Sequence, residues 1–173
     1  MFWSQDETRV GLMTMLGKRI TALGVKPMQP VQWPRKAMWL YGVVAPATGE
    51  SFFYEFSHLD TACFECFLKL LADAYPNVLN LIQCDQAPAH SGYDLVIPDN
   101  VVLLYQPPHC PELNPIERVW EDLKLDLKGD NFANLDELRV AIKEILTDMT
   151  PEWLASLTQY PFIMKALSVP ISS

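Results

Sequence analysis

Three carboxylates stand where the chain gives them reason to meet: Asp6, Asp85 and Glu117. Asp6 follows the short run Phe2 to Gln5 and Asp85 follows Val78 to Cys84, both of which read as strands. Glu117 falls in the first turn of a helix. Carboxylates held within a few ångströms of one another repel, and persist only with protons or cations between them. Hard oxygen donors favour Mg²⁺ or Mn²⁺ over zinc. Two such ions about 3.5–4 Å apart activate a water or a 3′-hydroxyl and stabilise the leaving oxygen during in-line attack on phosphorus. Asp6, Asp85 and Glu117 are thus a candidate metal site.

The elements that must position them begin with Pro107 to Lys124, PPHCPELNPIERVWEDLK. A proline-punctuated loop there enters an amphipathic helix whose Ile116, Val119, Trp120, Leu123 and Leu127 form one apolar stripe. Asn114 is expected to cap this helix, with Pro115 at its first position. Glu117 lies on the flank of the stripe. The Asn114-x-x-Glu117 spacing also fits a capping box, in which Glu117 returns a bond to the Asn114 N–H. Capping and metal ligation are both open to it from this stretch alone.

With 173 residues and 50% hydrophobic content, the chain is long enough for one domain with a real core. No apolar run approaches the roughly 20 residues that span a bilayer, and no signal peptide is apparent, so a cytoplasmic protein is expected. Cys63-x-x-Cys66, Cys84 and Cys110 make neither a disulfide framework nor a zinc site; Cys63 and Cys66 read as small buried hydrophobes on a helix. The net charge of −8 argues against nucleic-acid binding until its distribution is seen. Thr8 to Gly49 contains no acidic residue and carries Arg9, Lys18, Arg19, Lys26, Arg35 and Lys36. All 21 acidic residues lie elsewhere. One basic surface on an acidic body is expected, with those six residues contacting nucleic-acid phosphates.

Thr14 to Arg35 reads as a long irregular loop. Met38 to Ala45 and Ser51 to Phe56 form a hairpin about Pro46-Ala47-Thr48-Gly49. Leu59 to Tyr75 is helical, with Leu59, Ala62, Cys63, Cys66, Phe67, Leu70, Leu71 and Ala74 on its apolar face. Ala89 to Leu95 is a short helix with His90 in its first turn, and Val101 to Tyr105 is another apolar strand. Asn134 caps a helix that buries Leu138, Ala141, Ile142, Ile145 and Met149, and Thr150-Pro151 starts a last short one. Three antiparallel strands followed by two parallel ones, with helices on both faces, make an α/β sheet. Asp85 then sits at the carboxyl end of a central strand, where such sheets hold ligands.

Three segments carry a family resemblance: Gln5-Asp6-Glu7-Thr8-Arg9-Val10-Gly11-Leu12, Cys84-Asp85-Gln86-Ala87-Pro88-Ala89-His90-Ser91, and Pro107 through Trp120 with its PELNPIE run. Together they resemble the catalytic blocks of a DDE transposase of the insertion-sequence 630 group, allied to the mariner transposases. The resemblance covers roughly residues 1 to 130. It implies a ribonuclease-H-like fold, Asp6, Asp85 and Glu117 as ligands of two Mg²⁺ or Mn²⁺ ions, cleavage at transposon ends and strand transfer into target DNA. It implies a homodimer on DNA, with Thr14 to Arg35 reaching across to a partner subunit, and a nucleoid-associated location.

His109 stands where the family commonly has tyrosine, and Cys110 where serine is common. Only five residues precede Asp6, so the expectation is a single catalytic domain over 1–173, with 14–35 as a basic inserted loop and 130–173 as C-terminal helices. No helix-turn-helix is expected before Asp6; the end-recognition half is then a separate or frameshift-joined product, or lost. His90 and Asn114 are candidates to support the carboxylates from behind. Glu7 is expected to point away from Asp6, because side chains alternate along a strand. A non-enzymatic relic that binds DNA or a partner, or another ribonuclease-H-like nuclease, are the alternatives.

Overall fold

The computed structural model describes residues 1–16, 21–26, 28, 30–90 and 94–169. Its centre is β1, Phe2–Gly11, which runs well beyond the Phe2 to Gln5 expected from sequence. It pairs antiparallel with β2, Ala37–Val44, over eight positions from Ser4↔Val44 to Gly11↔Ala37. The hairpin partner β3, Ser51–Phe56, follows a turn closed by the Gly49 N–H donating to the Ala45 carbonyl at 2.7 Å. Gly49 has φ 75°, and a Cβ there would sit 1.7 Å from the Pro151 carbonyl oxygen, so the turn needs glycine on both counts.

On the other edge, β1 pairs in parallel with β4, Asn80–Cys84, over Phe2↔Leu81, Trp3↔Ile82 and Ser4↔Gln83. β5, Val101–Tyr105, completes the sheet in parallel with β4. The order is β3-β2-β1-β4-β5, as expected: an antiparallel meander with two parallel additions. This is the ribonuclease-H-like arrangement.

Helices cover both faces. α1, Thr61–Ala74, is capped by Asp60, whose carboxylate accepts from the Cys63 N–H at 2.9 Å. It packs Phe64, Phe67, Leu68 and Leu71 on Trp3, Tyr41, Val43 and Ile82. Each such side chain contributes about 1.5–3 kcal/mol on burial. The face is rotated from the expected one: Cys66 is exposed and Cys63 only half-buried, so neither is the buried hydrophobe anticipated.

The opposite face is covered by α2, Ile116–Asp126, α3, Leu135–Asp148, and α4, Pro151–Thr158. The stripe Ile116, Val119, Trp120, Leu123 and Leu127 is buried there with Val10, Leu40, Leu138 and Ile142. Asn134 caps α3 through bonds from the Asp136 and Glu137 N–H groups. A further helix, α5, Pro161–Leu167, follows. No helix among the described residues is long and apolar enough to cross a membrane.

The described residues of the basic segment hold no helix or strand, as expected of an irregular loop, and several of them are tied to the body of the domain. The segment's root extends the β1–β2 pairing, with Leu12 N–H donating to the Lys36 carbonyl and Thr14 N–H to that of Gln32. Side chains then tie it to the stretch after α2: Gln32 Nε2 donates to the Phe132 carbonyl at 2.9 Å and Asn131 Nδ2 to that of Pro30 at 3.1 Å. Leu23, Met28 and Trp33 remain exposed.

Candidate functional site

The site forms where β1 and β4 part. Their parallel ladder stops at Ser4↔Gln83, and β1 continues alone on that edge while β4 ends at Cys84. Asp6 is two residues beyond the last β1 position paired with β4, and Asp85 is the first residue beyond β4. Alternation sends Trp3, Gln5 and Glu7 toward α1 and Ser4, Asp6, Thr8 and Val10 toward α2. Asp6 therefore faces the helix that carries Glu117.

Asp6 is fixed by that helix. Its Oδ2 accepts from Trp120 Nε1 at 3.0 Å. The indole can lie over the sheet because Gly42, the β2 partner of Asp6, has no side chain. A Cβ there would come within 2.6 Å of Trp120 Cη2 and 2.7 Å of Phe53 Cδ1. Burial, then the charges of Glu117, Glu7 and Asp85, raise the Asp6 carboxyl well above the usual carboxylate range. Burial also raises Glu117; Glu121 and Asp85 push the same way, against Lys124. Both shifts run the same way, toward a proton or a cation at this edge of the sheet. Among the described residues, no three His, Cys, Asp or Glu side chains already form a ligating cluster.

Those carboxylates fit a hard divalent cation by chemistry: all three offer oxygen, and the negative charge around Asp6 is what a cation would offset. Asp85 is half exposed, and its Oδ1 accepts from the Ala87 N–H at 2.9 Å, closing a local turn. The same oxygen pairs with His90 Nδ1 at 2.7 Å.

His90 occupies a 3₁₀ turn, Pro88–His90, in place of the start of the expected 89–95 helix, whose residues 91–93 lie outside the described set. Its side chain is 1% exposed, tilted against Phe64 with ring centroids 4.3 Å apart. Its Nε2 pairs with Glu7 Oε1 at 3.0 Å, an oxygen that also accepts from Gln5 Nε2 at 2.7 Å. Burial works against a charged ring, but the bond and charge of Glu7, with the charge and bond of Asp85, win and push the imidazole up to about 9. Both ring nitrogens then carry protons and donate. Glu7 does point away from Asp6, as alternation requires, yet it reaches Asp85 through His90. That link had no signal in the strand pattern.

Asn114 does not cap α2. Its Nδ2 donates to the Gln5 carbonyl at 2.8 Å, one residue beyond the last β1 position paired with β4. Pro115 occupies the cap position without any side-chain bond, and the Asn114 N–H goes to the Pro111 carbonyl at 2.9 Å. The capping box is therefore absent, because Asn114 is drawn into the sheet edge, and Glu117 has no capping duty. Glu117 instead borders a groove with Pro111, Glu112, Arg118, Tyr160 and Phe162, so α5 supplies neighbours that sequence spacing did not suggest.

Of the basic residues, Arg9, Arg35 and Lys36 line one groove with Met13 and Met15 at the end of β1. Arg9 Nη2 reaches the Arg35 carbonyl at 3.5 Å. Lys26 is exposed and outside that groove, and Lys18 and Arg19 lie outside the described residues.

Residues 1–139 match the family model of the DDE superfamily endonucleases. The chain is 32% identical over 105 residues to the uncharacterized protein y4pE/y4sA of Sinorhizobium fredii (strain NBRC 101917 / NGR234), an alignment covering 58% of this chain and 78% of that one. It superposes on a pre-cleavage Mos1 transpososome with TM-score 0.73 at 12% identity, covering 99% of this chain and 57% of the other. A Mos1 mariner paired-end complex with Mn gives TM-score 0.70 at 15% identity, covering 91% and 51%. The chain thus spans about half the length of the solved chains it matches.

Proposed function

Because the chain belongs to the DDE superfamily of endonucleases, we propose that it is the catalytic portion of a transposase, cutting DNA at transposon ends and joining the freed strand to a target. What supports this reading is the family match together with the placement of the carboxylates: Asp6 on β1, Asp85 directly after β4, and Glu117 in the first turn of α2, the helix whose Trp120 Nε1 donates to Asp6 Oδ2. Asp6, Asp85 and Glu117 would hold two Mg²⁺ or Mn²⁺ ions. When bound, such ions supply an activated oxygen nucleophile and stabilise the leaving oxygen.

The chain's own residues do the rest. Trp120 holds one oxygen of Asp6, so that carboxylate is oriented before substrate arrives. The groove of Arg9, Arg35 and Lys36 offers cations to DNA phosphates at the end of the strand that carries Asp6. The exposed Leu23, Met28 and Trp33 suit contact with a second subunit, which supports a homodimer on DNA.

A labelled duplex or supercoiled plasmid incubated with Mn²⁺ tests the reading. Wild-type protein should nick DNA, while Asp6→Asn, Asp85→Asn and Glu117→Gln should each lose on the order of a thousandfold or more in rate. Glu121→Gln should cut normally. Equal cleavage by wild type and Asp85→Asn would sink the assignment.

A further inference from the structure

We propose that Glu7, acting through His90, is a positioning residue that fixes the Asp85 carboxylate so that Oδ2 is the oxygen presented to a divalent cation. This rests on the metal-site reading above. Asp85 lies where the chain leaves β4, and its side chain is 46% exposed. Left alone, such a carboxylate rotates freely, and ordering it on binding carries an entropic cost. Here both hydrogen bonds described for it, from Ala87 N–H and His90 Nδ1, fall on Oδ1.

His90 can hold Oδ1 only if it is itself held. Phe64 lies against its ring, and its own carbonyl accepts from the Tyr105 hydroxyl at 2.6 Å. Glu7 takes the other ring nitrogen at 3.0 Å. Glu7 is 5% exposed, too deep for solvent to satisfy it, and Gln5 Nε2 and His90 are its partners. The relay crosses from the α1 side of the sheet to its edge because the β1–β4 ladder has already stopped at Ser4↔Gln83. A paired strand in that position would have closed the path.

A buried acid–imidazole pair that serves only the fold would share this geometry, so the test reads metal binding apart from stability. Mn²⁺ affinity is measured by calorimetry and by electron paramagnetic resonance on folded protein, with a melting curve for every variant. Glu7→Ala should raise the Mn²⁺ Kd by about 10–100-fold, the range found when an outer partner of a metal ligand is lost. Glu7→Gln still accepts from or donates to His90, and should restore most of the affinity. His90→Gln, which can reach one carboxylate but not both, is the second variant should Glu7→Ala fail to fold, and should weaken Mn²⁺ in the same range. If these variants melt earlier while folded protein binds Mn²⁺ with unchanged affinity, the pair is structural and the proposal is overturned. Wild type that binds no Mn²⁺, or Asp85→Asn that binds it as wild type does, overturns the metal-site reading itself and this inference with it.

Discussion

The indole N–H of Trp120 donates to Asp6 Oδ2 at 3.0 Å, tying the helix that bears Glu117 to the strand that bears Asp6. Trp120→Phe keeps a ring in the core and removes the donor. Stability should fall by about 1–3 kcal/mol, which for a domain of this size is a few degrees in Tm. Mn²⁺-dependent cleavage by the folded variant should drop about tenfold, one unmade hydrogen bond's worth. A lower Tm with an unchanged rate would mean the bond serves packing alone.

Asn114 gives a sharper test, because its two readings predict opposite ranks. As a helix cap, Asn114→Asp would be nearly neutral, since both side chains cap well. As a donor to the buried Gln5 carbonyl, Asn114→Asp sets a carboxylate against an acceptor and should cost more than Asn114→Ala, itself about 1–3 kcal/mol. Urea unfolding of the two variants decides the order.

Removal of charge from the groove at the end of β1 should show in salt dependence. Each phosphate neutralised contributes roughly −0.9 to the slope of log K against log salt on duplex DNA. Replacing Arg9, Arg35 and Lys36 by glutamine should flatten that slope by about one to three units and weaken binding to every sequence alike. Tm should hardly change, since these side chains are exposed. An unchanged slope would remove the groove from the DNA path.

The metal-free protein should lose stability as pH rises. Asp6 has a raised folded pKa, so its contribution is full below the ordinary carboxylate value and is lost as pH climbs through the raised one. For His90 the window runs from 6.5 to about 9, over which roughly 3 kcal/mol is at stake. Both slopes have the same sign. Without metal at pH 8, Asp6→Asn should melt above wild type, and the gap should narrow toward acid. Saturating Mn²⁺ should reverse the order, because a ligand at a hundredfold excess over Kd stabilises the native state by about 2.7 kcal/mol. A gap that stays constant from pH 5 upward would show that the Asp6 carboxyl is not raised in the folded protein.

Local pattern carried much of this structure. The α2 stripe, the strand before Asp85 and the Asn134 cap follow from periodicity and residue type within a dozen residues, and they are where expected. The face of α1 was displaced because its apolar residues wrap more than half the helix, so periodicity alone could not choose between Cys66 and Phe64. The cap assigned to Asn114 failed, and the contact of Glu7 with His90 went unforeseen, for another reason. Their partners lie 109 and 83 residues away, and no spacing within a segment encodes which distant carbonyl or ring a polar side chain will meet.

The central place of β1 also bears on how the protein is made. Trp3 and Asn80 share a buried hydrogen bond at 2.9 Å across 77 residues of chain. At about 5–20 residues per second, a ribosome needs roughly 4–15 s to supply the partner strand. Until then the β1–β2–β3 meander exposes an open edge bearing Trp3, a surface that invites pairing with the wrong strand. Parallel closure over so long a loop is also slow in itself. The segment that delivers Asp85 to Asp6 is therefore the same one that ends the nascent chain's exposure to aggregation, and slowing translation before Asn80 should lower the yield of folded protein more than slowing it after Tyr105.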